Sequence, residues 1–66
     1  MKGDELHYYA RAWKDLINGS TLPELRRVLH MYANLEEFEA CVGIQKAIKE
    51  YVYYIDIRKK LLKNKL

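Results

Sequence analysis

A chain of 66 residues with a net charge of +3, half of them hydrophobic and one of them cysteine, has room for a single small domain. At this size folding buries only about 60% of the unfolded surface, so stability needs a supplement. The lone Cys41 excludes an internal disulfide, and His7 and His30 stand too far from it in sequence for a zinc pattern, which leaves a partner chain as the supplement.

The opening stretch MKGDELHYYARAW carries acids early and has no long apolar run, so a signal peptide is not expected. No stretch approaches the length of apolar residues that crosses a membrane. A cytoplasmic, reducing setting is the expectation.

Apolar residues recur at helical spacing throughout and no useful period-2 alternation occurs, so the chain is expected to be all-α, a single domain of three helices. The first, about residues 4–18, carries the stripe Leu6, Tyr9, Ala10, Trp13, Leu16 and Ile17, with Asp4 and Glu5 in its opening turn. Gly19 in NGS supplies the left-handed residue for its end. The second, about 22–33, opens on TLPE: Thr21 caps, Pro23 is tolerated in the first turn, and Glu24 completes a capping box. Its apolar positions are Leu22, Leu25, Val28, Leu29, Tyr32 and Ala33.

Asn34 is the expected cap of the third helix, with Glu37 three residues on, and a tight αα-hairpin joins the two. No proline follows Leu35, so the third helix runs from about 35 to 64, roughly 45 Å against about 20 Å for each of the others. Neither short helix reaches its far half. That half is nonetheless apolar all round, through Val52, Tyr53, Tyr54, Ile55 and Ile57, a pattern that is normally buried. A heptad-like seam, Cys41, Gln45, Ile48, Val52, Ile55, Lys59, Leu62 and Leu66, points to contact with another helix. A homodimer or higher oligomer is therefore expected, with Ile48, Tyr51, Val52, Tyr54, Ile55 and Leu62 at the interface.

The stretch LRRVLHMYANLEEFEACVGIQKAIKEY, residues 25–51, resembles the UVR-type helical hairpin of the bacterial excision-repair proteins UvrB and UvrC and of some Clp-protease adaptors. Leu29 and Ala33 precede Phe38 and Glu39 at the family's distances. Cys41 and Val42 take its two small positions, Ile48 its isoleucine and Tyr51 its final leucine. Gln45 and Lys46 stand where the family has Arg-Asp. The resemblance implies a protein-binding hairpin that docks another helical hairpin and catalyses nothing itself.

Other residues admit simpler readings. His7 and His30 have no carboxylate or nucleophile partner and are expected on the surface, while Cys41 reads as a small hydrophobe. Glu36, Glu37 and Glu39 fit a helix N-terminus, where negative charge is favoured, better than a metal site. Gly43 costs about 1 kcal/mol against alanine inside a helix, which points to close approach of another helix, the alternative being tolerance at an exposed site.

The tyrosines fit core and interface, while Tyr53 beside Arg58, Lys59, Lys60 and Lys63 also suits stacking on nucleobases and attraction to phosphate. These residues are the candidate anion or nucleic-acid contacts. A membrane surface is not the expected partner of so short a basic run. No nucleophile, base and orienting group assemble from these residues, so neither an enzyme nor a cofactor is expected. The expectation is an interaction module, an adaptor, inhibitor or regulator of an unidentified protein, of the kind common among phage accessory proteins. The alternative is a nucleic-acid-binding or nucleotide-binding accessory protein.

Overall fold

The computed structural model describes residues 3–64, all but the side chain of the last, and every regular element among them is helical: α1 (Gly3–Ile17), α2 (Leu22–Asn34) and α3 (Phe38–Asn64). The all-α expectation holds. Lys65 and Leu66, the latter the end of the expected seam, lie outside the described residues.

The punctuation between α1 and α2 follows the local sequence. Gly19 adopts φ 108°, its N–H donates to the Leu16 carbonyl at 3.2 Å, and the Ser20 N–H reaches back to Asp15 at 2.9 Å. That pair of bonds ties off the last carbonyls of α1 and requires a left-handed residue between them. Thr21 then caps α2 in extended conformation, its hydroxyl accepting the Glu24 N–H at 3.3 Å, and Pro23 sits in the first turn where no N–H is needed.

The second junction differs from expectation. Asn34 is the last residue of α2 rather than the cap of α3, and α3 begins at Phe38, three residues later than the capping pattern implied. The reason is a second closure of the same type: the Glu36 N–H donates to Ala33 at 3.1 Å and the Glu37 N–H to Tyr32 at 2.9 Å. Reversing the chain this way uses up Leu35, Glu36 and Glu37 before Cys41 donates to the Glu37 carbonyl and opens α3. Here the left-handed residue is Glu36, at φ 60°, where a side chain costs energy that glycine avoids. Glu36→Gly is expected to raise the melting temperature by about 4–8 °C, corresponding to about 1 kcal/mol; a thermal melt showing no gain would contradict this account of the turn.

The helices run up, down and up. Trp13 of α1 meets Tyr51 of α3 edge to face at 5.8 Å, while Cys41 donates to the Leu29 carbonyl of α2 at 3.8 Å. α1 packs against α3 more extensively than α2 does. The core where they meet is Ala12, Leu16, Leu25, Ile44, Ala47 and Ile48, ringed by half-buried Tyr9, Trp13, Leu29 and Tyr51.

The buried face of α1 is therefore rotated from the expected stripe: Ala12 is buried, whereas Ala10, Leu6 and Ile17 are exposed, Ile17 at 74%. Val28 and Ala33 likewise sit at the exposed edge of α2. Gly43 accounts for the geometry of α1. It is buried, and a Cβ there would stand 2.3 Å from the Glu5 carbonyl oxygen and 2.9 Å from the Tyr9 nitrogen. The α1 backbone rests directly on α3, as close helix packing at a glycine requires.

Candidate interaction surface

The length mismatch shapes the molecule. Its extents are 47 × 23 × 16 Å and its radius of gyration is 13.4 Å, against about 11 Å for a compact chain of this length. Leu22, which opens α2, shares a shallow depression with Val52, Ile55, Asp56 and Lys59, and Ile17 ends α1 one turn beyond Trp13. The bundle stops there. α3 runs on through residues 56–64, about 13 Å of helix, with Asp56 and Lys59 still bordering Leu22.

The side of α3 that builds the core does not stop with the bundle. Ile44, Ala47, Ile48 and Tyr51 recur at three- and four-residue intervals, and the series goes on through Tyr54, Ile55, Arg58, Leu61 and Leu62. One face is thus covered by α1 and α2 in its first half and bare in its second. Tyr54, Leu61 and Leu62 are all more than half exposed.

The residues expected at an oligomer interface divide accordingly. Ile48 is only 8% exposed and Tyr51 is half-buried against Trp13, so both belong to the chain's own core. α2 occupies the first part of the seam, where Cys41 and Ile48 lie. Val52, Tyr54 and Leu62 are open to solvent and Ile55 is half-buried.

The candidate anion contacts divide too. Tyr53, Lys60 and Lys63 share the outer face of α3 with Asp56, which pairs with Lys60 at 3.3 Å, an exposed pair worth little in stability. Arg58 points the other way, along the apolar series between Ile55 and Leu61, and Lys59 borders the depression at Leu22. The cations therefore surround the helix instead of forming one stripe.

A second apolar surface lies at the opposite end. Met31, Leu35, Phe38 and Val42 cluster around the α2–α3 turn, Leu35 and Phe38 being 64% and 67% exposed. The spacing of Phe38 and Val42 on one helix face is legible in the sequence, but the family resemblance alone singles them out.

Polar chemistry is concentrated on the sides of α1. The Tyr9 hydroxyl donates to the Glu50 carboxylate, with the Lys46 ammonium 6.0 Å from the ring centre. That hydrogen bond, with burial second, raises the Tyr9 phenol above its ordinary value, while the buried Trp13 N–H, which meets no acceptor in hydrogen-bonding geometry among the described residues, opposes the rise. Tyr8 is half-buried with its ring 5.3 Å from Tyr32, and burial followed by the neighbouring Tyr32 raises its phenol too.

Both shifts favour the protonated form in the folded state. Their stabilisation is complete below the unfolded value near pH 10 and is lost as pH rises from there through the folded values. In an ultraviolet titration two of the six phenols should ionise late, and Tyr9→Phe should flatten the alkaline loss of stability; an unchanged alkaline slope would refute the role of Tyr9.

Between α1 and α2 a cleft of about 320 Å³ has Ala12, Leu25 and Ile44 at its floor and His7, Arg11 and Tyr32 among its walls. Its charges are largely answered: Arg11 pairs with Asp15 at 4.0 Å. His7 and His30 are exposed, and the His7 ring meets Tyr8 edge to face at 5.2 Å. Among the described residues no three His, Cys, Asp or Glu side chains are grouped to hold a metal ion, and no helix is long and apolar enough to cross a membrane.

Comparison with protein-family models, with curated proteins and with solved structures found no match.

Proposed function

We propose that this chain is a small helical interaction module, an adaptor, inhibitor or regulator in the cytoplasm, that works as a homo-oligomer joined through the C-terminal half of α3. The observation that carries this reading is the continuation of the core-building face past the end of the bundle, through Tyr54, Ile55, Leu61 and Leu62. Apolar surface of that kind is covered in a working protein, and a second helix is the cover its spacing fits.

The exposed apolar group at the α2–α3 turn offers a separate place for another protein. Phe38 and Val42 lie on the hairpin that resembles the UVR type, and a helical hairpin of the partner is the occupant such a resemblance implies. Self-association and partner capture then use opposite ends of the molecule.

A second reading, binding of nucleic acid or a nucleotide, is supported by Tyr53, Lys60 and Lys63 on one outer face. The two readings separate in one experiment, a solution-mass measurement across concentration with and without single-stranded and duplex nucleic acid. The interaction reading expects a multiple of the 7.9 kDa chain mass with nucleic acid absent. A monodisperse monomer at high concentration overturns it. A complex that forms only with nucleic acid and dissolves steeply with salt favours the second reading.

A further inference from the structure

We infer that two copies of this chain pair antiparallel, each laying the free end of its α3 beside that of the other and against the open end of the other's bundle. The inference rests on the self-association proposed above and adds the number of copies, the direction and the contacts.

Area sets the number. The solvent-accessible surface is 5383 Å², whereas a compact chain of 7.9 kDa exposes about 4,400 Å². The excess, on the order of 1,000 Å², is close to the roughly 800 Å² that each partner contributes to a standard stable interface. One further copy, contacting this face once, suffices. The free end also needs the contact for its own sake, because a short stretch of helix is marginal in water without packing.

Charge sets the direction. In a parallel pair Arg58, Lys59, Lys60 and Lys63 of both copies lie side by side, and like charges along a helix contact are unfavourable. In an antiparallel pair with its two-fold axis near Ile57 the two copies of each cation move apart along the axis, by about 9 Å for Lys60 and about 18 Å for Lys63. Arg58, which lies on the contact face, then falls within about 3 Å along the axis of the second copy's exposed Tyr54, a placement suited to a guanidinium over an aromatic face.

Shape sets the contacts. Leu61 and Leu62 of one copy then reach the level of Ile17 and Leu22 in the other, where the bundle ends and Ile17 is exposed. Each free end thereby covers the apolar end of the other's core. The arrangement is reciprocal, so it closes as a dimer without offering a further free end.

The test places a nitroxide label at residue 45, using Gln45→Cys in a Cys41→Ala background, and measures the distance between labels alongside the solution mass. Residue 45 lies twelve positions from the axis, so the antiparallel dimer separates the labels by about 40 Å, against about 20 Å for a parallel one. A dimer mass with about 40 Å is the expected result. A dimer mass with about 20 Å overturns the antiparallel pairing while leaving self-association standing; any larger assembly overturns the closed dimer. A monomer that keeps its full helical content removes both. A label at residue 60 reads a short distance in either dimer and confirms that the labelled chains pair.

Discussion

Gly43→Ala is expected to lower the melting temperature by roughly 5–15 °C, although alanine is the better helix former by about 1 kcal/mol. The new methyl group would stand 2.3 Å from the Glu5 carbonyl oxygen and 2.9 Å from the Tyr9 nitrogen. Both are backbone atoms of α1, so no side-chain rotation relieves the contact; the helix itself must move outward. Moving α1 loosens Ala12 and Leu16, which it brings to the core, and the Tyr9 and Trp13 contacts with α3. Overpacking of this kind costs about 1–3 kcal/mol and sometimes more. In a chain of marginal stability that is a large fraction of the total. Gly43→Val should go further and release α1, seen as lost Trp13–Tyr51 packing in near-ultraviolet dichroism. If Gly43→Ala melts at or above the parent temperature, α1 does not rest on this glycine.

The second large effect concerns assembly. Leu61→Asp with Leu62→Asp is expected to weaken self-association by at least 100-fold, with loss of helix confined to the free end of α3 and the Trp13–Tyr51 packing of each chain intact. The two leucines are 60% and 59% exposed, so the single chain has little to lose by the change. In the proposed dimer they would face Ile17 and Leu22 of the other copy, and each aspartate would lose its hydration without gaining a partner, which costs several kcal/mol. Tyr53→Asp provides the control. Tyr53 is 67% exposed on the outer face with Lys60 and Lys63, and a charge there should leave the dimer intact. Lys60→Glu with Lys63→Glu should also spare assembly while abolishing any salt-sensitive nucleic-acid binding. Equal loss of assembly from the inner and outer substitutions would show that the apolar face is not the contact.

The local punctuation of the chain is legible in short stretches of sequence. Gly19, Thr21 and Pro23 act through their own backbone and side-chain properties, and they sit where those properties place them. The length of α3, and with it the uncovered half, follows from an absence of breakers after Phe38. The α2–α3 turn is misleading because Asn34 and Glu37 satisfy a capping pattern, while the chain instead closes α2 through a glutamate at φ 60°. A left-handed residue other than glycine leaves little mark in sequence, since its cost is accepted for the contacts that the turn permits.

The candidate surface is legible in part. Spacing identifies Tyr54, Ile55 and Leu62 as apolar positions without an intrachain cover, yet it places Ile48 and Tyr51 with them. Periodicity reports which residues share a helix face, not which stretch of that face the rest of the chain occupies. The same limit explains why Tyr8, which has no evident place on an apolar stripe, lies against Tyr32.

The amino-acid sequence by itself determined three helices, their caps at the first junction and the excess length of the third, because these depend on hydrogen bonds and steric preferences within a few residues. Tertiary structure alone decided which face of α1 is buried, since that rests on how closely two backbones approach where Gly43 has no Cβ. It also decided where the covered half of α3 ends, because that boundary depends on where α1 and α2 terminate in space rather than on anything within α3.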